Sequence, residues 1–318
     1  MIALPLYIRE EEVSELLNIG ECMGVLRDAF RKQAEQGAAI LPRSRIQTEQ
    51  GTLNTMAATI NSLGVTGTKT YYANKTGVTF VVLLFSTEDA KLLAVIEADK
   101  LGQIRTGAMS GLMTDIMAPE GSNRLACAGS GYQAETQIEA VASVRKLESI
   151  VVYSRNRKNC ELFASSMSRK LGVDVVALDD TAEFVKADIL VTATTSKNPV
   201  VPDEHISKSC HINAIGANRI GSHELEPETV CSARAIVVDS IAQAKLESGD
   251  LSNAFSSGCL DWSSVSEVWE AVSGRMKTGR DAATERTLFK SLGIALEDVA
   301  VGKFVFDRAV KQGLGTWL

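Results

Sequence analysis

Residues 125–134 read LACAGSGYQA, and the reading of this stretch decides the fold. Leu125, Ala126, Cys127 and Ala128 are the small and apolar residues of a short buried strand. Gly129-Ser130-Gly131-Tyr132-Gln133-Ala134 comes directly after, with the G-x-G-x-x-A spacing of a dinucleotide-binding turn. Gly129 permits the tight turn out of the strand. Gly131 has no Cβ to hold a pyrophosphate off the backbone, and Ala134 lets the next helix pack close to the sheet. That helix, predicted over 132–146, aims its N-terminal N–H groups and the positive end of its dipole at the phosphates. A glycine turn alone is a weak signal, because many strand-turn-helix corners use small residues for packing. Here the apolar run SIVVY at 149–153 lies one crossover length further on and completes a βαβ unit.

The residues just after SIVVY should face the adenosine ribose. An NAD enzyme ordinarily places Asp or Glu there. This chain has Ser154, Arg155, Asn156, Arg157 and Lys158, which offer cations and a hydroxyl and no carboxylate. A run of cations in a loop is ordinarily a solvated surface, but this one stands where a 2′-phosphate would sit and nothing in it would repel one. NADP(H) is therefore expected in preference to NAD(H), which stays possible.

Working outward, strand-helix alternation continues. Strands are predicted at 173–178, 189–192, 211–215 and 235–238, with helices at 159–171, 181–186 and 241–248. That spacing argues a doubly wound parallel sheet. Residues 260–273 fit no clear period. Upstream, 8–34 reads as two consecutive helices closed by Gly37. Strands are predicted next at 44–48, 52–57, 65–73, 78–86 and 92–97, punctuated by turn residues, and a helix over 98–118 ends before Pro119. A meander of this kind makes an antiparallel or mixed sheet, separate from the nucleotide layer. A last long helix spans 294–312, and its periodicity does not say which layer it joins.

The 318 residues suffice for two domains, and 45% hydrophobic with 23% charged residues is a soluble globular profile. No run of 18 apolar residues is present, so no membrane span is expected. The opening MIALPLYIREEE is too briefly apolar and too soon acidic for a signal peptide, and a cytoplasmic location is expected. Net charge −6 disfavours a nucleic-acid partner. Six cysteines and three histidines are scattered without metal-ligand spacing, so no metal is expected, and the cysteines are expected to be free thiols.

Several stretches together resemble the ornithine cyclodeaminase/μ-crystallin family. They are Leu41-Pro42-Arg43, Thr68-Lys69, LLAVIEA at 92–98, Ile104-Arg105-Thr106-Gly107-Ala108, the glycine turn at 129–134, HINAIGA at 211–217 and FKSLGIA at 289–295. Their order and spacing agree with the family over nearly the whole chain. The resemblance implies a Rossmann domain over 119–295 and an α+β substrate and dimerisation domain built from 1–118 with 296–318. It implies a homodimer, an active site near the carboxyl ends of the parallel strands, and hydride transfer between nicotinamide and the α-carbon of a small amino, imino or keto acid.

The resemblance also implies site roles, residue by residue. Arg43 and Arg105 would bind the substrate carboxylate, since two guanidinium forks hold one carboxylate with directional bonds. Lys69 would polarise an imine and pass it a proton, with a pKa lowered by burial beside two cations. Met56, Tyr71 and Tyr72 would wall the substrate. Thr106, Tyr132, Gln133, Thr192, Ala193 and Thr194 would join the glycine turn in holding the cofactor, with Ser291 and Gly293 near the nicotinamide. Asn218 would join the substrate-binding set, but it is a departure: cyclodeaminases carry aspartate there, and an amide cannot act as a base at neutral pH. Asn54 departs from the arginine that alanine dehydrogenases of the family can show. The expectation is thus an oxidoreductase of the imine reductase or amino-acid dehydrogenase type. The alternatives are a cyclodeaminase that recycles NAD(H) within its turnover, and a μ-crystallin-like protein that binds NADPH and a small ligand.

Overall fold

A computed structural model describes residues 4–276 and 285–318; residues 1–3 and 277–284, which the expected domain spans include, lie outside them. In chain order the elements are β1 (Leu6–Ile8), α1 (Glu10–Leu16), α2 (Ile19–Ala34), β2 (Ala38–Gln47), β3 (Gly51–Ile60), β4 (Val65–Asn74), β5 (Gly77–Ser86), β6 (Leu92–Glu97) and α3 (Asp99–Met117). Then come β7 (Arg124–Ala128), α4 (Tyr132–Val144), β8 (Ser149–Tyr153), α5 (Arg157–Leu171), β9 (Val175–Ala177), β10 (Ile189–Thr192), β11 (His211–Ala214), α6 (Pro227–Cys231) and β12 (Ala233–Val238). The chain closes with α7 (Ile241–Glu247), α8 (Gly249–Ser256), β13 (Val265–Glu267), α9 (Val268–Val272), β14 (Arg286–Lys290), α10 (Ala295–Gln312) and β15 (Thr316–Trp317). No described helix is long and apolar enough to cross a membrane.

Two compact units result, one of Met1–Arg105 with Gly293–Leu318 and the other of Thr106–Leu292. The sequence places the boundary after residue 118, where helical periodicity stops; the units divide inside α3, after Arg105.

The first unit is a seven-stranded sheet in the order β15-β1-β6-β5-β4-β3-β2. β2 to β6 form the antiparallel meander, and β1 joins β6 in parallel. The two short strands β1 and β15 escape a sequence reading because each is three residues or shorter. Alternation along each strand sorts the faces. Val65, Gly67 and Lys69 of β4, with Val82 and Leu84 of β5, are buried. α10 packs on this face, against β3, β4 and β5, and also against α2. Gly302 of α10 makes that packing close, since a Cβ there would stand 3.3 Å from Val82.

The second unit holds an eight-stranded, all-parallel sheet in the order β13-β12-β14-β11-β10-β7-β8-β9. β7 pairs with β8 on one side and β10 on the other, so the strand order reverses at the strand that carries the glycine turn. Ligands bind at such a switch point, beyond the carboxyl ends of the strands. The expected helix at 181–186 is a 3₁₀ turn, and 260–273 resolves into β13 and α9. β14 inserts between β11 and β12 and is fully buried. Its charged ends, Arg286 and Lys290, disguise it in the sequence. Each is partnered inside: Arg286 with Asp203, and Lys290 with Asp250 at 3.0 Å.

The expectation of free thiols fails at one pair. Cys231 and Cys259 are disulfide-bonded with Cα atoms 5.6 Å apart. Packing of α6 against α8 brings together residues 28 positions apart, which no local spacing announces. Cys22, Cys127, Cys160 and Cys210 are free and buried.

Candidate active site

In the first unit a cluster of charge forms where β2, β4, α3 and α10 meet. The β2–β3 register shifts between Leu41 and Ser44, so Pro42 and Arg43 form a bulge. Proline cannot donate to the ladder, and a bulge re-aims the side chain beside it. Arg43 is accordingly buried, and its Nη2 donates to the Gly293 carbonyl at 2.9 Å. Lys69 lies on the inner face of β4, 3% exposed, and its Nζ donates to Asp298 Oδ1 at 2.8 Å. Arg105 of α3 donates through Nη1 to Glu297 Oε2 at 2.6 Å and through Nε to the same Asp298 Oδ1 at 3.1 Å. The three cations proposed from sequence are therefore together and buried, and Lys69 and Arg105 are tied to two carboxylates from the first turn of α10.

Burial pushes the Lys69 pKa down, and the Arg105 and Arg43 charges push the same way; Asp298 opposes them, and the amine settles at about 8. Burial alone would raise the Asp298 pKa, but Arg105 and Lys69 overcome it and hold the carboxyl below its ordinary range. The Lys69 ammonium also stands 5.1 Å over the Phe80 ring, which itself tilts against Tyr71 at 5.0 Å. Met56 is buried on the same face. Tyr72 does not join them. Strand alternation turns it to the other face, where its hydroxyl meets Thr48 Oγ1 at 3.0 Å. Gly293 belongs to this unit, against Arg43 and Arg105, with φ +72.

The second unit carries the glycine corner. A cavity of about 270 Å³ opens beyond β7, β8 and β10, lined by Gly129, Ser130, Gly131, Ser154, Arg155, Asn159 and residues 193–196 among others. Gly129 has φ +123, and a Cβ on it would stand 2.4 Å from the Ala193 carbonyl. A Cβ on Gly131 would meet nothing within 4 Å, so the space over that peptide is open to a ligand. α4 begins directly after Gly131. No carboxylate is among the described residues that line this cavity. These features fit a dinucleotide whose phosphates lie at the helix N-terminus.

Other expected cofactor residues are placed differently. Asn156 caps α5, its Oδ1 accepting from the Asn159 N–H at 3.0 Å. Arg157 reaches Glu161 and Asp179, which leaves Arg155 as the cation that lines the cavity. Tyr132 and Gln133 open α4 without lining the cavity. Thr192 is fully buried and donates to Glu224 Oε2 at 3.0 Å. Ser291 is buried beside Asp239, which accepts the Leu292 N–H at 2.7 Å. Thr106 is buried in α3, and Asn218 is half-buried after β11.

Five carboxylates escape the sequence reading. Glu297 and Asp298 look like ordinary N-terminal helix acids, although two acids inside the apolar run IALEDVAV are a signal of buried partners. Glu224 accepts from Thr192 Oγ1, from Thr194 N and Oγ1, and from Gly216 N, so one buried side chain ties the loops after β10 and β11. Asp250 supports the Glu224 and Leu225 N–H groups and pairs with Lys290. Asp239 has no local signature.

Residues 6–313 match the model of the Ornithine cyclodeaminase/mu-crystallin family. Alanine dehydrogenase of Archaeoglobus fulgidus is 32% identical over 98% of this chain and 97% of its own length. The structure of Thermococcus litoralis Δ1-pyrroline-2-carboxylate reductase in complex with NADH and L-proline superposes with a TM-score of 0.93 at 32% identity, covering 98% of this chain and all of that one. An archaeal alanine dehydrogenase dimer with bound NAD gives 0.90 at 32% identity, covering 98% of each chain.

Proposed function

Because the chain belongs to the ornithine cyclodeaminase/mu-crystallin family, we propose that it reduces a small α-imino acid, or makes the imine from a keto acid and amine and reduces that, with NADP(H) as the hydride donor. At the coarser level it is an NAD(P)-dependent oxidoreductase acting on carbon–nitrogen bonds. The observation that carries the reading is the buried triad of Arg43, Lys69 and Arg105, in which the lysine amine has a pKa of about 8.

When bound, the nicotinamide supplies a hydride. The chain supplies the rest. Arg43 and Arg105 hold the substrate carboxylate. The Lys69 ammonium hydrogen-bonds to the imine nitrogen, polarises the C=N bond and gives it a proton. The α-carbon takes the hydride, the nitrogen takes the proton, and Lys69 recovers its proton from water. A donor with a pKa near the working pH suits this transfer. Asn218 offers no carboxylate to an ornithine amino group, which favours reduction over cyclodeamination.

For the cofactor, Arg155 at the cavity wall supports NADP(H). For assembly, the face of the seven-stranded sheet opposite α10 carries half-buried Val81, Leu83, Phe85 and Val95, an apolar strip that suits a second copy of the chain.

The test is direct. Reduction of Δ1-pyrroline-2-carboxylate, of Δ1-piperideine-2-carboxylate, and of pyruvate, glyoxylate or oxaloacetate with ammonia or methylamine is measured with NADPH and with NADH. L-Ornithine is offered in parallel. Net oxidation of NADPH is expected; proline and ammonia from ornithine without net cofactor change would reject the reading. Arg155→Asp is expected to raise KM for NADPH about tenfold or more, the scale of one lost charge-assisted contact, and to leave KM for NADH nearly unchanged.

A further inference from the structure

We infer that Asp298 is a positioning residue for Lys69: one buried carboxylate oxygen, shared with Arg105, fixes the direction of the lysine ammonium and keeps it in its proton-donating form. The inference rests on the reading of Lys69 as the proton donor, and it concerns a residue that touches neither substrate nor cofactor in that reading.

The geometry is specific. Asp298 Oδ1 accepts from Lys69 Nζ at 2.8 Å and from Arg105 Nε at 3.1 Å, and Asp298 is fully buried. Its Oδ2 accepts no hydrogen bond from the described residues, so the carboxylate is engaged through a single oxygen. Glu297, the preceding residue, reaches the same guanidinium at Nη1. Adjacent residues on α10 therefore divide the work. Glu297 holds the guanidinium, and Asp298 couples the guanidinium to the amine.

The groups facing Lys69 explain why such a coupling is needed. Arg43 of β2 and Arg105 of α3 both oppose its charge, and β5 contributes the Phe80 ring and apolar Val82. Cys22 of α2, which feels the same Arg105, Glu297 and Asp298 charges, has its thiol pushed far up by burial and is neutral. Among the described residues it is Asp298 of α10 that favours the ammonium, and it touches Nζ directly. The fit is tight on the α3 side as well: a Cβ on Gly102 would stand 3.0 Å from Lys69 Nζ. Removing the Asp298 charge removes attraction and leaves two like charges. The amine must then lose its proton at lower pH.

The experiment reads the amine itself. The full chain is labelled with [ε-¹³C]lysine, the Lys69 resonance is assigned with Lys69→Arg, and its titration is compared in Asp298→Asn and Glu297→Gln. Asp298→Asn is expected to lower the midpoint by about one unit or more, and Glu297→Gln to lower it less. The alkaline limb of kcat/KM for Δ1-pyrroline-2-carboxylate reduction should move down with the same midpoint. An unmoved Lys69 midpoint in Asp298→Asn overturns the inference, as does an equal movement in both variants. If Asp298→Asn does not fold, Asp298→Glu decides. It keeps the charge and shifts the oxygen by one methylene, so kcat should fall while the limb stays near its original pH; wild-type kcat overturns the inference. Failure of the underlying reading looks different: Lys69→Ala keeps full activity while the midpoint in Asp298→Asn still moves.

Discussion

Lys69 shows how position in a strand decides chemistry. On a solvent face the same residue would be an ordinary lysine near pKa 10.5; on the inner face of β4 burial brings it to about 8. That value sets the sign of the pH dependence. With Lys69 as the proposed proton donor, imine reduction needs the ammonium, so its rate should be full below this pKa and fall as pH rises through about 8. Amine oxidation needs the neutral amine and should rise over the same interval. Opposite limbs in the two directions, measured on one preparation, would establish the assignment; two limbs of the same sign would remove it. Lys69→Ala should lower kcat for reduction about 10²- to 10⁴-fold, the ordinary worth of a positioned proton donor, with little effect on KM for NADPH.

At the scale of elements, two corners do most of the positioning. The Pro42–Arg43 bulge turns an arginine inward from a strand that otherwise lies half exposed at the sheet edge. The β7–α4 corner depends on Gly129, whose φ of +123 and 2.4 Å approach to the Ala193 carbonyl leave no room for a side chain. Gly129→Ala should cost at least about 1–3 kcal/mol, the scale of one strained backbone residue, and should abolish nucleotide binding. Thermal unfolding with and without NADPH checks both: a lowered Tm and no shift on adding nucleotide are expected. Gly131→Ala makes the contrast. Its Cβ meets only open space, so Tm should hold while KM for NADPH rises.

For the molecule as a whole, assembly and legibility belong together. If the apolar strip opposite α10 seats a second copy, Leu83→Lys should halve the mass measured by light scattering, while a variant that keeps the two-chain mass would place the interface elsewhere. Much of this architecture is readable in the sequence. LACAGSGYQA and SIVVY imply the parallel sheet and its nucleotide corner, because a turn that must admit phosphate restricts residue type locally. The meander is readable from alternation, and Arg43, Lys69 and Arg105 from the motifs around them. Ser154–Lys158 is legible as a cationic loop, but not which member lines the cavity, since Arg157 turns to Glu161 and Asp179. Periodicity alone determined the helices and long strands, because each expresses contacts a few residues apart. Tertiary structure alone decided that Asp298 meets Lys69 across 229 positions, that β14 enters the sheet between β11 and β12, and that Cys231 meets Cys259. Contacts of that kind arise from how whole elements pack, and a carboxylate in a helix's first turn looks the same whether it faces water or a buried amine.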